Sequence, residues 1–249
     1  MSRALDGVSS VVHLAAFGSV VESVQDPFEN FDVNVRGTLV LLRACAAEGV
    51  EKFVFASTGG AIMGNTPPPV DEATLPWPIS PYGASKLCGE AYCHAFAGSF
   101  GLSVVALRFA NVYGPVSDRK EGAVTTFIKR ALRREPLVIY GDGTATRDFL
   151  YVDDLCYGIS AAIDAQVQDE VVHLGSGEGT SIAELARLVL ELTDATDTSI
   201  QYEEPRRGEV ERTFAKPERA AELLGFTASH SLRRGMQKTV EWFVAHGVD

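Results

Sequence analysis

The 249-residue chain holds only four cysteines and no Cys-x-x-Cys pair. Cys45, Cys88, Cys93 and Cys156 sit inside apolar periodic segments, where small thiols are expected as packing residues rather than as a disulfide framework or a metal site. None of the five histidines stands at ligand spacing from cysteines or carboxylates, so no metal is expected. Long apolar runs are also missing: residues 11–21 and 102–110 are interrupted by His13, Gly18 and Arg108 and are too short to span a bilayer. The opening, Met1 to Asp6, has no basic region followed by an apolar one, so no secretory signal is read and the cytoplasm is the expected compartment. Positive charge is scarce. Lys plus Arg total 22 against 33 Asp plus Glu, a net charge of -11 that opposes non-specific contact with nucleic acid or an anionic membrane. An anionic ligand therefore needs a local basic pocket. No internal repeat or low-complexity tract is present. What remains is ordinary globular composition, 46% hydrophobic and 22% charged, enough to bury a large core in one domain or two closely joined ones.

Short β-rich runs alternate with amphipathic stretches, which argues an α/β fold with a mainly parallel sheet. Strands are expected over 8–14, 52–56 and 103–108, with helices over 27–47 and 80–100 between them. Phe31, Val35, Leu39 and Leu42 keep helical spacing, Gly49 stops the first helix, and Pro81 opens the second. Past Gly114-Pro115 the rhythm loosens. Helices are expected at 123–133, from residue 152, and at 181–192, 217–224 and 231–245, with strands at 137–140, 171–174 and 199–202.

Tyr82 and Lys86 stand at i and i+4 on the second helix, which stacks both on one face and brings an ammonium near a phenol. An adjacent cation favours phenolate, lowering a pKa of about 10 toward the range of a general base. By itself this spacing recurs on many helix surfaces by chance. The preceding strand, however, ends in Ser57-Thr58-Gly59-Gly60, which places small hydroxyls at the carboxyl edge of a parallel sheet, where such sheets bind ligands. A hydroxyl there can hold the substrate oxygen that Tyr82 deprotonates.

Five blocks occur in a familiar order. They are His13-Leu14-Ala15-Ala16 with Ser19-Val20; Asn34-Val35-Arg36-Gly37-Thr38; Ser57-Thr58 followed by Tyr82-Gly83-Ala84-Ser85-Lys86; Arg108-Phe109-Ala110-Asn111-Val112-Tyr113-Gly114-Pro115; and Arg147-Asp148-Phe149-Leu150-Tyr151-Val152-Asp153-Asp154. A weaker sixth is Pro205-Arg206-Arg207-Gly208-Glu209-Val210. Through these blocks, over nearly its whole length, the chain resembles the extended branch of the short-chain dehydrogenase/reductase superfamily. Within it, the chain is similar to the nucleotide-sugar epimerases and dehydratases of the UDP-glucose 4-epimerase type.

The resemblance implies an α/β protein with a Rossmann-like doubly wound parallel sheet and a smaller α/β substrate-binding domain. Residues 1–114 would form the dinucleotide-binding part and 115–249 mainly the substrate-binding part, with 146–175 returning to the main sheet. It further implies NAD as cofactor, a nucleotide sugar as substrate, and a homodimer through a helix pair containing Ala47 or the Tyr82 helix. By position, Thr58, Tyr82 and Lys86 resemble the catalytic set. Leu14, Ala15, Ala16, Asn34 and Ala110, with Tyr82 and Lys86, resemble cofactor-side positions. Ser19, Thr58, Asn111, Val138, Tyr140, Arg147 and Arg206 resemble substrate-side positions, and planar guanidinium donors suit a diphosphate held by an acidic chain. Blander roles stay open: Thr58 could cap a turn, Asn34 could fix backbone, and Arg147 could pair with Asp148 or Asp153. His13 is expected to pack at a strand end.

The family's opening strand and glycine-rich pyrophosphate turn have no counterpart here, so the sheet is expected to be truncated at its amino-terminal side by roughly 60 residues, taking about 30 per βαβ unit. Gly59-Gly60 and the run from Gly175 to Gly179 are not expected to replace that turn. Met63 stands where the family usually has Tyr, which reads as a packing change. Gly59-Gly60 also replaces the Asp-Glu with which the 4,6-dehydratases eliminate water, so dehydration lacks a proton donor. The function expected is therefore nucleotide-sugar 4-epimerisation of the UDP-glucose/UDP-galactose type. Two alternatives are a catalytically silent remnant that binds a nucleotide sugar or a protein, and a nucleotide-sugar reductase.

Overall fold

The computed structural model describes residues 2–206 and 210–247. In chain order its strands are β1 (Ser10–His13), β2 (Lys52–Thr58), β3 (Ser103–Phe109), β4 (Asn111–Tyr113), β5 (Leu137–Tyr140), β6 (Thr146–Arg147), β7 (Phe149–Tyr151), β8 (Glu170–Leu174), β9 (Thr180–Ser181), β10 (Ile200–Glu203) and β11 (Arg212–Thr213). Its helices are α1 (Ser2–Leu5), α2 (Val20–Gln25), α3 (Pro27–Phe31), α4 (Gly37–Glu48), α5 (Pro81–Phe100), α6 (Ala123–Leu132), α7 (Val152–Asp164), α8 (Ile182–Leu192), α9 (Glu218–Leu224) and α10 (Leu232–His246).

The main sheet runs β1-β2-β3-β8 with every pairing parallel. Parallel strands are buried on both faces, and β2 accordingly reads as a continuous apolar run with alternate residues serving two cores. Phe53 and Phe55 point into one core with Leu42, Cys45, Cys93 and Phe96, beneath α4 and α5. Val54 points into the other with Leu107, Leu155, Leu224 and Phe226, beneath α7 and α9. Burying each phenylalanine contributes about 2 kcal/mol of apolar transfer. The arrangement is a doubly wound α/β sheet, with β8 returning beside β3 after the excursion through residues 115–169.

A separate core packs α6, α8 and α10 around β5 and β7, with Phe127, Ile128, Leu137, Ile139, Leu185, Val189, Met236 and Phe243 inside it. Small sheets β10-β5, β11-β6-β9 and β4-β7 fasten this half. Among the described residues no helix is long and apolar enough to cross a membrane.

Helix α5 starts and stops where its sequence says it should. The Ser80 hydroxyl accepts from Gly83 N–H at 3.1 Å, Pro81 occupies the first turn, and Gly101 ends the helix in the left-handed region at φ +70°. Glycine is required at two contact points. A Cβ at Gly83 would overlap the Ala61 carbonyl, and one at Gly89 would overlap the Phe55 ring, so α5 lies directly on the β2 layer.

The helix expected over 27–47 is found as one unbroken helical run over 27–48, with α3 and α4 joined by a π-helical turn over Asp32–Arg36 that the apolar spacing did not foretell. The wider turn holds Asn34, whose side chain is bonded to partners far along the chain. Helix α2 and the two- and three-residue strands were also not among the expected elements. Of the cysteines, Cys45 and Cys93 are buried, whereas Cys156 is exposed on α7 rather than packed. Met63 is buried with Ile62, Val70 and Ala215. His13 is buried between Phe53 and Phe55 and shares a hydrogen bond with the Thr38 hydroxyl at 3.0 Å.

Candidate active site

Parallel pairing carries β2 to Thr58, opposite Phe109 of β3, and α5 then returns over the same edge. The Thr58 hydroxyl and the Tyr82 phenol come close together there. One turn further, Lys86 (4% exposed) donates from Nζ to the Ala56 carbonyl at 2.7 Å, with Nζ 5.1 Å from the centre of the Phe55 ring and 6.0 Å from that of Tyr82. The electrostatics differ from the expectation of a depressed phenol. Burial pushes Tyr82 up to about 12, and the nearby Thr58 hydroxyl offsets this only in part. The same burial pushes Lys86 down to about 8. Desolvation outweighs the attraction between the pair because the ammonium is committed to Ala56 rather than to the phenol oxygen.

Leu14, Ala15 and Ala16 follow β1 as an exposed segment at the same edge. The segment is pinned at Phe17, whose N–H donates to Asn34 Oδ1 at 2.7 Å and whose carbonyl accepts from Asn34 and Asn30 at 3.1 Å. Asn34 also donates to the Ser85 hydroxyl at 2.9 Å and is 2% exposed, so it holds the segment against α5 rather than presenting a surface. Ser19 caps α2, accepting from Glu22 N–H at 3.2 Å. Exposed apolar residues at 14–16, at the sheet edge that also carries Tyr82 and Lys86, suit the flat face of a nicotinamide. The turn from Gly175 does not fit its pyrophosphate: Ser176 and Gly177 N–H already donate to the Asp148 carboxylate at 2.8 and 3.1 Å.

Across the edge, Asn111 is exposed on β4 with its N–H on the Asp148 carbonyl, and Ala110 N–H donates to Leu174. Arg147 on β6 donates to the Thr146 and Glu211 carbonyls at 2.9 and 3.2 Å. The Arg206 guanidinium lies 3.7 Å over the Tyr140 ring on β5, the strand that also carries Val138. Thus Thr58, Tyr82 and Lys86 converge, Arg206 joins Tyr140, and Asn111 and Arg147 stand on β4 and β6, strands of two different small sheets. Residues 207–209 of the sixth block lie outside the described residues. Beside Thr58, a Cβ on Gly59 would lie 3.2 Å from His173 Nδ1 and one on Gly60 would lie 3.1 Å from Thr213, so this corner is already filled.

Several residues escaped the sequence reading. Ser23, fully buried on α2, accepts from Tyr82 N–H at 3.2 Å and so anchors the start of α5. Ser57, Glu90, Arg108 and His173 form a polar chain beneath the site. The one available signal was the i+4 step from Lys86 to Glu90, an acid on an otherwise apolar helix face.

The model of the NAD dependent epimerase/dehydratase family matches residues 1–175. A putative UDP-glucose 4-epimerase of Methanocaldococcus jannaschii is 37% identical over 238 residues, 94% of this chain and 77% of the relative. The UDP-glucose 4-epimerase of Thermotoga maritima, solved with UDP-glucose, superimposes with a TM-score of 0.94 at 40% identity, covering 98% of this chain and 80% of that one. That of Thermus thermophilus, solved with NAD, gives 0.91 at 36% identity over 99% and 81%. A doubly wound sheet with a Tyr, a Lys and a Thr at its carboxyl edge defines the class, and the chain belongs to the NAD dependent epimerase/dehydratase family. Its homologues include UDP-glucose 4-epimerases, and NAD is the cofactor of the family.

Proposed function

We propose that this chain is a nucleotide-sugar 4-epimerase of the UDP-glucose/UDP-galactose type, using Thr58, Tyr82 and Lys86. The observation that carries the reading is the convergence of Thr58 and Tyr82 at the carboxyl end of β2, with Lys86 buried one turn behind and held to the Ala56 carbonyl. NAD, held beside Tyr82 and Lys86, would supply a reversible hydride acceptor for sugar C4. The protein's part is orientation and proton transfer. Thr58 would hold the C4 oxygen while Tyr82 Oη accepts its proton. At neutral pH the resting phenol is protonated, so ligand binding must bring positive charge beside it before it acts as base. Leu14, Ala15, Ala16 and Ala110 would border the nicotinamide, with Asn34 behind them. Asn111, Arg147 and Arg206 would meet the diphosphate, Ser19 the sugar, and Val138 and Tyr140 the base. Gly59 and Gly60, hemmed in by His173 and Thr213, supply no acid for elimination, which favours epimerisation over dehydration.

On this reading residues 1–114 serve the cofactor and 115–249 mainly the substrate, with 146–175 returning to the main sheet. Two copies would pair through α4 and α5. A second reading, binding of a nucleotide sugar without turnover, needs only the substrate-side residues, among which the Arg206 guanidinium lies over the Tyr140 ring. Incubation with UDP-glucose and NAD separates the two. Formation of UDP-galactose, lost at least about a hundredfold in Tyr82→Phe, supports the epimerase. Calorimetric binding of UDP-glucose with no product leaves the second reading.

A further inference from the structure

Glu90 has no part in the proton transfer just described, yet among the described residues it belongs to the most deeply buried ion pair: Glu90 is 7% and Arg108 4% exposed. It lies on α5 at i+4 from Lys86 and i+8 from Tyr82, so the three side chains share one helix face. Its carboxylate accepts three hydrogen bonds. Oε1 accepts from Ser57 Oγ at 2.6 Å and from Arg108 Nε at 2.9 Å, and Oε2 accepts from an Arg108 terminal nitrogen at 2.8 Å. The other terminal nitrogen of Arg108 faces His173 Nε2 at 3.5 Å. Two consecutive residues of β2 are thereby joined to α5, Ala56 to Lys86 and Ser57 to Glu90, and the hydroxyl of the next, Thr58, lies near the Tyr82 phenol. Arg108 extends the same tie to β3, and His173 to β8.

We propose that Glu90, clamped by Arg108, is a positioning residue that fixes α5 along β2 and so keeps the Tyr82 phenol on Thr58; this rests on the reading of Tyr82 as the proton-transfer group. A buried ion pair is a poor device for stability alone. Its desolvation offsets its attraction, and apolar side chains of similar volume commonly serve as well or better. What such a pair adds is direction. The Phe55 ring under Gly89 sets the height of α5 above the sheet, but apolar contact resists sliding weakly. Bidentate charge-assisted bonds resist it strongly, because each lies within a few tenths of an ångström of its optimum. A misplacement of about 1 Å at a reacting group can reduce turnover about a hundredfold.

The test compares wild type, Glu90→Leu/Arg108→Met, Ser57→Ala and Tyr82→Phe for thermal stability, for kcat and KM on UDP-glucose with NAD, and for the 13Cζ tyrosine resonance of Tyr82, assigned by its loss in Tyr82→Phe. The double variant is expected to melt within a few degrees of wild type, with kcat at least tenfold lower, KM within twofold, and the Tyr82 resonance shifted or broadened. Ser57→Ala should show the same pattern at about threefold. A folded double variant with wild-type kcat and an unmoved resonance overturns the proposal. If the double variant does not fold, Ser57→Ala decides by the same readouts. Should Tyr82→Phe keep its turnover, the proton-transfer reading falls, and the resonance still decides whether Glu90 positions the phenol.

Discussion

Burial acts on Tyr82 and Lys86 in opposite senses, raising the phenol to about 12 and lowering the ammonium from 10.5 to about 8. The lysine shift has a consequence for stability. Between these two lysine values the unfolded chain binds more protons than the folded one, so stability rises as pH climbs from about 8 to 10.5, and below 8 the buried ammonium is a net cost. The full shift corresponds to about 3 kcal/mol, reduced in a mutant by loss of the bond to Ala56. Lys86→Met is therefore expected to melt at or above the wild-type temperature at pH 7 while losing nucleotide-sugar turnover at least about a hundredfold. Scanning calorimetry at pH 7 and pH 10 checks it: the gap between variant and wild type should narrow at the higher pH. The i, i+4 spacing of Tyr82 and Lys86 was legible in the sequence because one helix turn determines it. The direction of the phenol shift was not, since it depends on how much of the sheet and loop covers it.

Helix α5 is the element on which the site depends, and its ends were readable from Ser80, Pro81 and the glycine at 101. Its height over β2 depends on Gly83 and Gly89, whose contacts lie with residues 61 and 55. Gly89→Ala is expected to destabilise the chain. The added methyl overlaps the fully buried Phe55 ring, costing about 1–3 kcal/mol, and only about 1 kcal/mol returns as helix propensity. A thermal melt should show a fall of several degrees, and an unchanged or raised midpoint would contradict the contact. The stretch 27–47 reads as one helix because its apolar spacing is continuous, whereas the π turn is held by Asn34 bonding to Phe17 and to Ser85, 51 residues away. Strands of two or three residues, such as β4, β6 and β9, carry no periodicity of their own, and each exists through a partner distant in sequence.

At the scale of the whole molecule, α4 and α5 leave outward faces that mix small apolar residues with Arg43 and His94. Val40 and Ala47 on α4, and Ala84, Ala91 and Ala95 on α5, are all exposed at helical spacing. Small and apolar residues on two neighbouring helices allow close helix packing between copies. Sedimentation at micromolar concentration is expected to give twice the 26.8 kDa chain mass, and Val40→Glu to return the single chain. A wild-type chain that sediments singly would remove the pairing from the proposed function and leave the site within one chain untouched.

The sequence by itself determined the fold class, the order of the main elements and the Tyr82–Lys86–Thr58 group, because each rests on local periodicity, end signals or motifs that occupy one element or adjoining ones. Only the tertiary structure decided that Asn34 holds a loop and that Glu90, Arg108, Ser57 and His173 meet. It likewise decided that Cys156 faces outward and that the phenol is raised. Those outcomes follow from burial and from pairings between residues 17 to 65 positions apart, which no local pattern encodes.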